Sequence, residues 1–298
     1  MLTRELPKLS LTPMTTFDAS PPPVDRLRCM EVWGGNSPGE HELSRPGLDL
    51  WLSARASGPE GGGLHFVSSC ASGRITRFLL ADLVPGRGAF VDIAAKFREL
   101  LKKHVNRIQQ GGCESGMRRV LEDSADQGGC GAVMMATYFA PNRRLTVCNA
   151  GHPPPLLYRA ALREWSLFPA SASADTKTTV DEPLLESGEY QRGSLQLGPD
   201  DRVLFYGESL LECRTSDGMP LSVAELLNRL RGLGPLDPQR QVAKLLADLE
   251  REHEDNLKQM DTTVILCKHA ARRSTLRDNL LAPLRLMLPV GDKTRFSS

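Results

Sequence analysis

Three carboxylates stand where apolar, strand-like runs meet loops. Asp82 closes FLLAD ahead of a glycine-containing turn, Glu208 follows VLFYG, and Asp261 opens DTTVILC. Loops at strand ends can aim such groups into one cleft. Oxygen ligands from three strands suit a hard divalent cation such as magnesium or manganese. Each is equally an ordinary strand-end or turn acid. No short motif ties the three together, so spacing alone favours that plainer reading. The stretch VCNAGHPPPLLYR raises a second chemical question, because it sets Asn149, Gly151 and His152 between two apolar runs. Gly151 can take the positive φ that a tight turn after a strand needs. The three prolines that follow cannot donate to a ladder and hold the chain extended. His152 then reads as a turn-buttressing side chain hydrogen-bonded to nearby backbone, with a proton-donor role as the alternative.

The elements that must position these groups alternate in blocks. Strands are expected at LDLWLSA, LHFVSS and ITRFLLADL, separated by Gly and Pro clusters. The stretch GGNSPGEHELSRPG ahead of them reads as loop. The segment AFVDIAAKFRELLKKHVNRIQ is the clearest helix, with Phe90, Ile93, Phe97, Leu101, Val105 and Ile108 at three- and four-residue steps. A shorter helix is expected around MRRVLEDSA, then two strands, GAVMMATYFA and RRLTVCNA, around the turn signal Pro141-Asn142. Residues 160 to 195 are weakly patterned. A strand at DRVLFY, two helices, the second capped by Asp237 with Pro238 behind it, and a last strand at TTVILCK complete the pattern. Strands come in groups with helices between the groups, so the class is α+β or a layered sandwich. The regular βα alternation and Gly-rich phosphate turn of a doubly wound sheet are missing.

Domain limits follow from composition. Residues 1–28 read as a flexible leader rich in Pro, Ser and Thr, residues 29–269 as the folded domain, and residues 270–298 as a basic, solvated, partly helical tail. Pro283 and Pro289 argue against that tail forming an amphipathic membrane- or partner-binding helix. Lys plus Arg is 37 against 36 for Asp plus Glu, a net charge of +1 that gives no electrostatic case for nucleic acid or membrane. No apolar run is long enough to span a bilayer, and the N-terminus lacks a secretory signal's apolar segment. Seven cysteines with no CxxC pair argue against a zinc site or disulfide framework. Cys148, Cys213 and Cys267 sit in apolar runs as small hydrophobes, and a cytoplasmic location is expected.

Four blocks, in order from about residue 48 to 268, resemble one family. RFLLADLVPGRGAFVDIAAKFRELL is similar to its segment of an Asp, a Gly-x-Gly turn and an Ala-rich helix. CNAGHPPPLLYR matches its Asn-Ala-Gly-His-Pro segment, VLFYGESLLEC resembles its strand ending in Thr-Asp-Gly, and MDTTVILC its Asp-Asp-x-Thr strand. The family is that of the PPM-type metal-dependent serine/threonine phosphatases, in the bacterial SpoIIE and RsbU branch. The Asn-Ala-Gly-His-Pro block is the specific one, and the ordered set of four carries the rest.

The resemblance implies a layered α-β-β-α sandwich of two antiparallel sheets flanked by helices. It also implies two magnesium or manganese ions between the sheets and a metal-activated water that attacks a phosphoserine or phosphothreonine of a regulatory protein. Carried over, Asp82 would bridge the metals, the Leu83 carbonyl would face the second ion, and Glu208 and Asp261 would complete the site. The departures lie at three positions. Gly63 stands where the family has an acid, Met260 replaces the first Asp of the Asp-Asp pair, and Gly207-Glu208 replaces Thr-Asp. Met260 offers only soft sulfur to a hard cation. Two functions follow as expectations: an attenuated phosphatase resting on Asp82, Glu208 and Asp261, or a pseudophosphatase that binds a phosphoprotein or regulatory partner without turning it over.

Overall fold

A computed structural model of the 298-residue chain describes residues 24–25, 27–58, 63–84, 90–109, 111–126, 130–169, 191–234 and 236–296. The first strands are β1 (Val24–Asp25), β2 (Glu31–Gly35), β3 (Gly39–Arg45), β4 (Leu48–Arg55), β5 (Gly63–Ser69) and β6 (Ile75–Val84). Helices α1 (Phe90–His104) and α2 (Gly111–Asp126) follow, then β7 (Cys130–Phe139), β8 (Arg144–Ala150), β9 (Leu156–Arg159), β10 (Glu164–Leu167), β11 (Gln191–Gln196) and β12 (Arg202–Tyr206). The chain ends with α3 (Val223–Gly232), α4 (Pro238–Glu252), β13 (Thr262–His269), α5 (Leu276–Arg285) and β14 (Gly291–Arg295).

The strands form two seven-stranded sheets, ordered β1-β3-β4-β13-β12-β9-β10 and β11-β8-β7-β6-β5-β2-β14. Pairing is antiparallel except at two edges, where β1 joins β3 and β14 joins β2 in parallel. Because side chains alternate along a strand, each apolar strand serves two layers. Phe78 and Leu80 of β6 meet Phe205 of β12 and Ile265 of β13 between the sheets. Leu79 and Ala81 of β6 turn outward onto Ile93, Phe97 and Leu101 of α1 and Met117 of α2. Leu204 and Tyr206 of β12 turn outward onto Leu226 and Leu230 of α3 and Val242 and Leu245 of α4. Strands buried on both faces read as continuous apolar runs, as ITRFLLADL and TTVILCK do. The expected α-β-β-α sandwich is the observed one.

Local signals account for the helix ends. Asp237 caps α4 by accepting the Arg240 N–H, with Pro238 in the first turn. Ser222 and Glu225 form a reciprocal capping box on α3. The first helix stops at His104, so Val105 lies past its end in a separate small cluster with Met30 and Ala71, and Ile108 is exposed.

Three expectations about the periphery need correction. GGNSPGEHELSRPG is not loop: its ends belong to β2 and β3, and β3 pairs with β4 from Gly39 opposite Ala54 to Arg45 opposite Leu48. The described fold begins before residue 29, since Val24 pairs with Glu42 and Leu27 is buried with its carbonyl accepting Arg45 Nη1 at 2.5 Å. Residues 1–23 lie outside the described residues, as do 170–190. The segment from 270 onward is built into the sandwich. Its helix continues through Pro283, and β14 adds an edge strand, held by Asp292 pairing with Lys102 of α1 at 2.8 Å.

Candidate active site

Register brings the candidate residues to one end of the sandwich. On the second sheet Asp82 lies opposite Gly63 of β5 and Ala132 of β7. By strand parity with Phe78 and Leu80 it faces the gap between the sheets. On the first sheet the chain leaves β12 at Gly207, whose N–H donates to the Thr263 carbonyl at 3.1 Å, and enters a short 3-10 turn at Glu208–Leu210.

Asp82 spans the gap. Its Oδ2 accepts the Glu208 backbone N–H at 3.0 Å, and its side chain is 20 % exposed. A Cβ on residue 207 would lie 2.6 Å from that oxygen, so this approach requires glycine there. Glu208 itself is exposed, and its contribution to the contact is backbone. Leu83, the next residue of β6, continues the ladder opposite Gly131 with its side chain buried.

His152 closes the gap from behind. Gly151, at φ +85°, turns the chain out of β8. Asn149 then clamps the turn, accepting the His152 N–H at 2.9 Å and donating to the His152 carbonyl at 2.8 Å. The buttress is therefore Asn149, and the imidazole is its cargo: fully buried, with Nδ1 3.8 Å from Asp82 Oδ2 and no hydrogen bond of normal geometry to either ring nitrogen. Burial pushes this histidine below its ordinary range, against the opposing pull of the Asp82 carboxylate and the Tyr206 and Ala132 backbone.

Asp261 is brought to the same end but is committed elsewhere. Its Oδ1 accepts the Ser57 N–H at 2.7 Å and the Ser57 hydroxyl at 2.9 Å, and its Oδ2 accepts the Gly63 N–H at 2.9 Å. The carboxylate thus staples the end of β4 to the start of β5. Ser57 was not visible as a site residue, because its partner lies 204 positions away and a lone serine beside a glycine carries no signal. Met260 is 41 % exposed and borders a separate small groove with Glu212, Cys213 and Asn256.

These donors do not suit the two hard cations that the resemblance implies. Among the described residues no group of three or more His, Cys, Asp or Glu side chains is placed to hold a metal ion. Gly63 supplies no acid, Met260 supplies a thioether, and Asp261 spends its oxygens on three protein donors.

The SpoIIE family, described as stage II sporulation protein E, matches residues 113–270, more than half of the chain. The chain belongs to this family and is a PPM-type, SpoIIE/RsbU-like member of it. It is similar to the RsbU and RsbW domains of a Mycobacterium tuberculosis protein, at 20 % identity over 78 % of this chain and 63 % of that one, with a TM-score of 0.56. It is also similar to the PP2C phosphatase domain, with a fragment of the regulatory domain, of the cell fate determinant SpoIIE from Bacillus subtilis. There the identity is 14 % over 74 % of this chain and 63 % of that one, with a TM-score of 0.57. The chain therefore spans less than two thirds of either structure. RsbX in complex with magnesium is similar at 11 % identity over 78 % of this chain and all of that one, with a TM-score of 0.53. At these identities the likeness is one of fold. No curated protein matches the chain in sequence.

Proposed function

We propose that this chain is a pseudophosphatase: a PPM fold that binds a phosphorylated regulatory protein, or that protein's partner, in the cytoplasm without hydrolysing it. The observation that carries the reading is the commitment of Asp261. Its carboxylate takes the Gly63 N–H at the position where the resemblance calls for an acid, so one retained carboxylate substitutes structurally for a lost one. Magnesium or manganese then binds weakly or not at all.

A second reading, attenuated hydrolysis, is favoured by one observation. Asp82 retains partial exposure and accepts the backbone N–H of Glu208, an exposed acid, so two acidic residues adjoin at the opening for a single ion. Calorimetry with manganese and turnover of p-nitrophenyl phosphate separate the readings. The pseudophosphatase shows no two-site binding at about micromolar affinity, and its background turnover is the same in Asp82→Ala. Manganese-dependent turnover abolished by Asp82→Ala overturns the proposal in favour of attenuated hydrolysis.

A further inference from the structure

The C-terminal segment carries two features that the cleft at Asp82 does not use. The first is an apolar ridge. Leu276, Leu280, Leu284, Leu286, Met287 and Leu288 make up half of the large apolar side chains that are exposed among the described residues, with Leu276 at 82 % and Met287 at 84 %. The first three recur every fourth residue and form one stripe of α5. That helix is held by other contacts: Ala282 packs on Met30, Ala71 and Val105, and Arg285 donates to the Ala71 carbonyl at 2.9 Å while pairing with Asp278. An exposed ridge on an anchored helix is a contact surface in the usual sense of such patches.

The second feature is a cavity of about 720 Å³ that the chain lines immediately before α5. Arg74, Arg143 and Arg273 line it without an ion pair to any described residue, beside His269 and Tyr138. Tyr138 is wholly buried and its Oη has no hydrogen-bond partner. Burial pushes that phenol up, so it stays a neutral donor. Guanidinium groups around a cavity of this size are the chemistry of phosphate recognition.

The two features share one stretch of chain, residues 270–288, which holds four arginines and one aspartate. A second copy of the chain fits this face poorly, since two-fold pairing would bring together Arg273 and Arg277 of both copies, the two arginines of this stretch with no ion pair to a described residue. A free anion would fill the cavity and leave the ridge in water. We infer that this end of the molecule docks on an anionic phospholipid bilayer, with the α5 ridge in the headgroup region and a lipid phosphate in the arginine-lined cavity. Pro283, the sequence feature that argued against an amphipathic helix here, sits inside α5 without ending it. The docking leaves the Asp82 cleft clear. Arg74 precedes the first residue of β6 and Asp82 lies near its last, roughly 25 Å away along the strand. No helix of the described residues is long and apolar enough to cross the membrane, so the contact is peripheral.

The test is co-sedimentation of the full chain with vesicles of phosphatidylcholine alone and of phosphatidylcholine with phosphatidylglycerol. Binding is expected only to the anionic vesicles, weakening with salt. It should fall by roughly tenfold or more in both Leu280→Glu/Leu284→Glu and Arg74→Glu/Arg273→Glu. All four positions are exposed, so urea unfolding midpoints should match wild type. No vesicle binding overturns the inference. So does protection by free glycerol phosphate without vesicle binding, which would make the cavity a soluble-ligand site. A concentration-dependent dimer abolished by Leu280→Glu/Leu284→Glu, with vesicle binding unaffected, would assign the ridge to a second copy and overturn it as well.

Discussion

Asp82 Oδ2 accepts the Glu208 N–H at 3.0 Å, and the contact depends on the missing side chain at Gly207, where a Cβ would sit 2.6 Å from the same oxygen. The glycine that the resemblance sets in place of threonine therefore does more than remove a hydroxyl. It lets Asp82 fold onto backbone and tie the two sheets together at their open end. Gly207→Thr should force Asp82 away, break that hydrogen bond and cost about 1–3 kcal/mol. Urea denaturation checks this, and a variant as stable as wild type would show that Asp82 has room to hold both arrangements.

The staple at Asp261 makes a related prediction. Asp261→Ala removes the acceptor for two N–H groups and a hydroxyl, and should cost about 2–3 kcal/mol, read by the same denaturation. Restoring the family's acids with Gly63→Asp, Glu208→Asp and Met260→Asp should disturb this region. A Cβ at Gly63 would lie 2.9 Å from Thr263 Oγ1 and 3.4 Å from the Asp261 Cβ, which brings a new carboxylate against an existing one. The triple variant should therefore be less stable than wild type without metal. It should be stabilised by manganese, because an ion bound only to the folded state raises its melting temperature. A triple variant that folds and binds two ions yet stays inert on p-nitrophenyl phosphate would show that these positions are not the family's catalytic ones.

Acid sensitivity should come from a histidine away from the cleft. His65 of β5 is buried near Trp33 and His41, and burial, with His41 adding to it, pushes its pKa from 6.5 down to about 3. Between those values the unfolded chain binds a proton that the folded chain does not, so stability falls as pH drops through this window. The difference between pH 7 and pH 5 is roughly 2 kcal/mol for this one site. His65→Gln should lose that part of the pH dependence of the urea midpoint. An unchanged pH profile in the variant would place the sensitivity on other groups.

The sandwich was legible in the sequence because its central strands are buried on both faces. Runs such as FLLAD, or VLFY ahead of Gly207, are short, apolar and bounded by turn residues, as doubly buried strands are, and the stripe Ile93, Phe97, Leu101 specifies α1 by its period. The periphery was not legible. The β2–β3 region is rich in Gly, Pro and charge and has no apolar run, so its local pattern reads as loop. Its strands form because β4 and β5 offer them partners. The same holds for β14, whose exposed polar residues read as tail until β2 is placed beside them. At the candidate site Asp82, Glu208 and Asp261 were visible in the sequence as strand-end acids, whereas their contacts were not. That Asp261 serves Ser57 and Gly63, and Asp82 serves Glu208, depends on contacts across long stretches of chain, which local spacing does not encode.

Arg77 is the strongest case of such a hidden duty, and it yields the last prediction. It sits on β6 among apolar neighbours and, by parity, faces the helices where Asp82 faces the gap. It is among the largest fully buried side chains, and no carboxylate pairs with it among the described residues. Its Nε donates to Thr137 Oγ1 at 2.9 Å, Nη1 to the His104 carbonyl at 2.7 Å and Nη2 to the Arg107 carbonyl at 2.7 Å. His104 is the last residue of α1, and its carbonyl also accepts the Arg107 N–H at 3.0 Å, so the guanidinium reinforces the turn that follows the helix and meets the negative end of the helix dipole. Arg77→Met fills the volume but removes the donor to the Arg107 carbonyl and the Thr137 hydroxyl and leaves the His104 carbonyl only the Arg107 N–H, and should cost about 2–3 kcal/mol. Arg77→Lys keeps the charge but loses the fork, and should recover only part of that loss. Hydrogen exchange supplies the discriminating measurement, because the last turn of α1 should lose protection in Arg77→Met ahead of β6 itself. Equal loss along helix and strand would mean that Arg77 stabilises the fold as a whole and does not anchor the helix end.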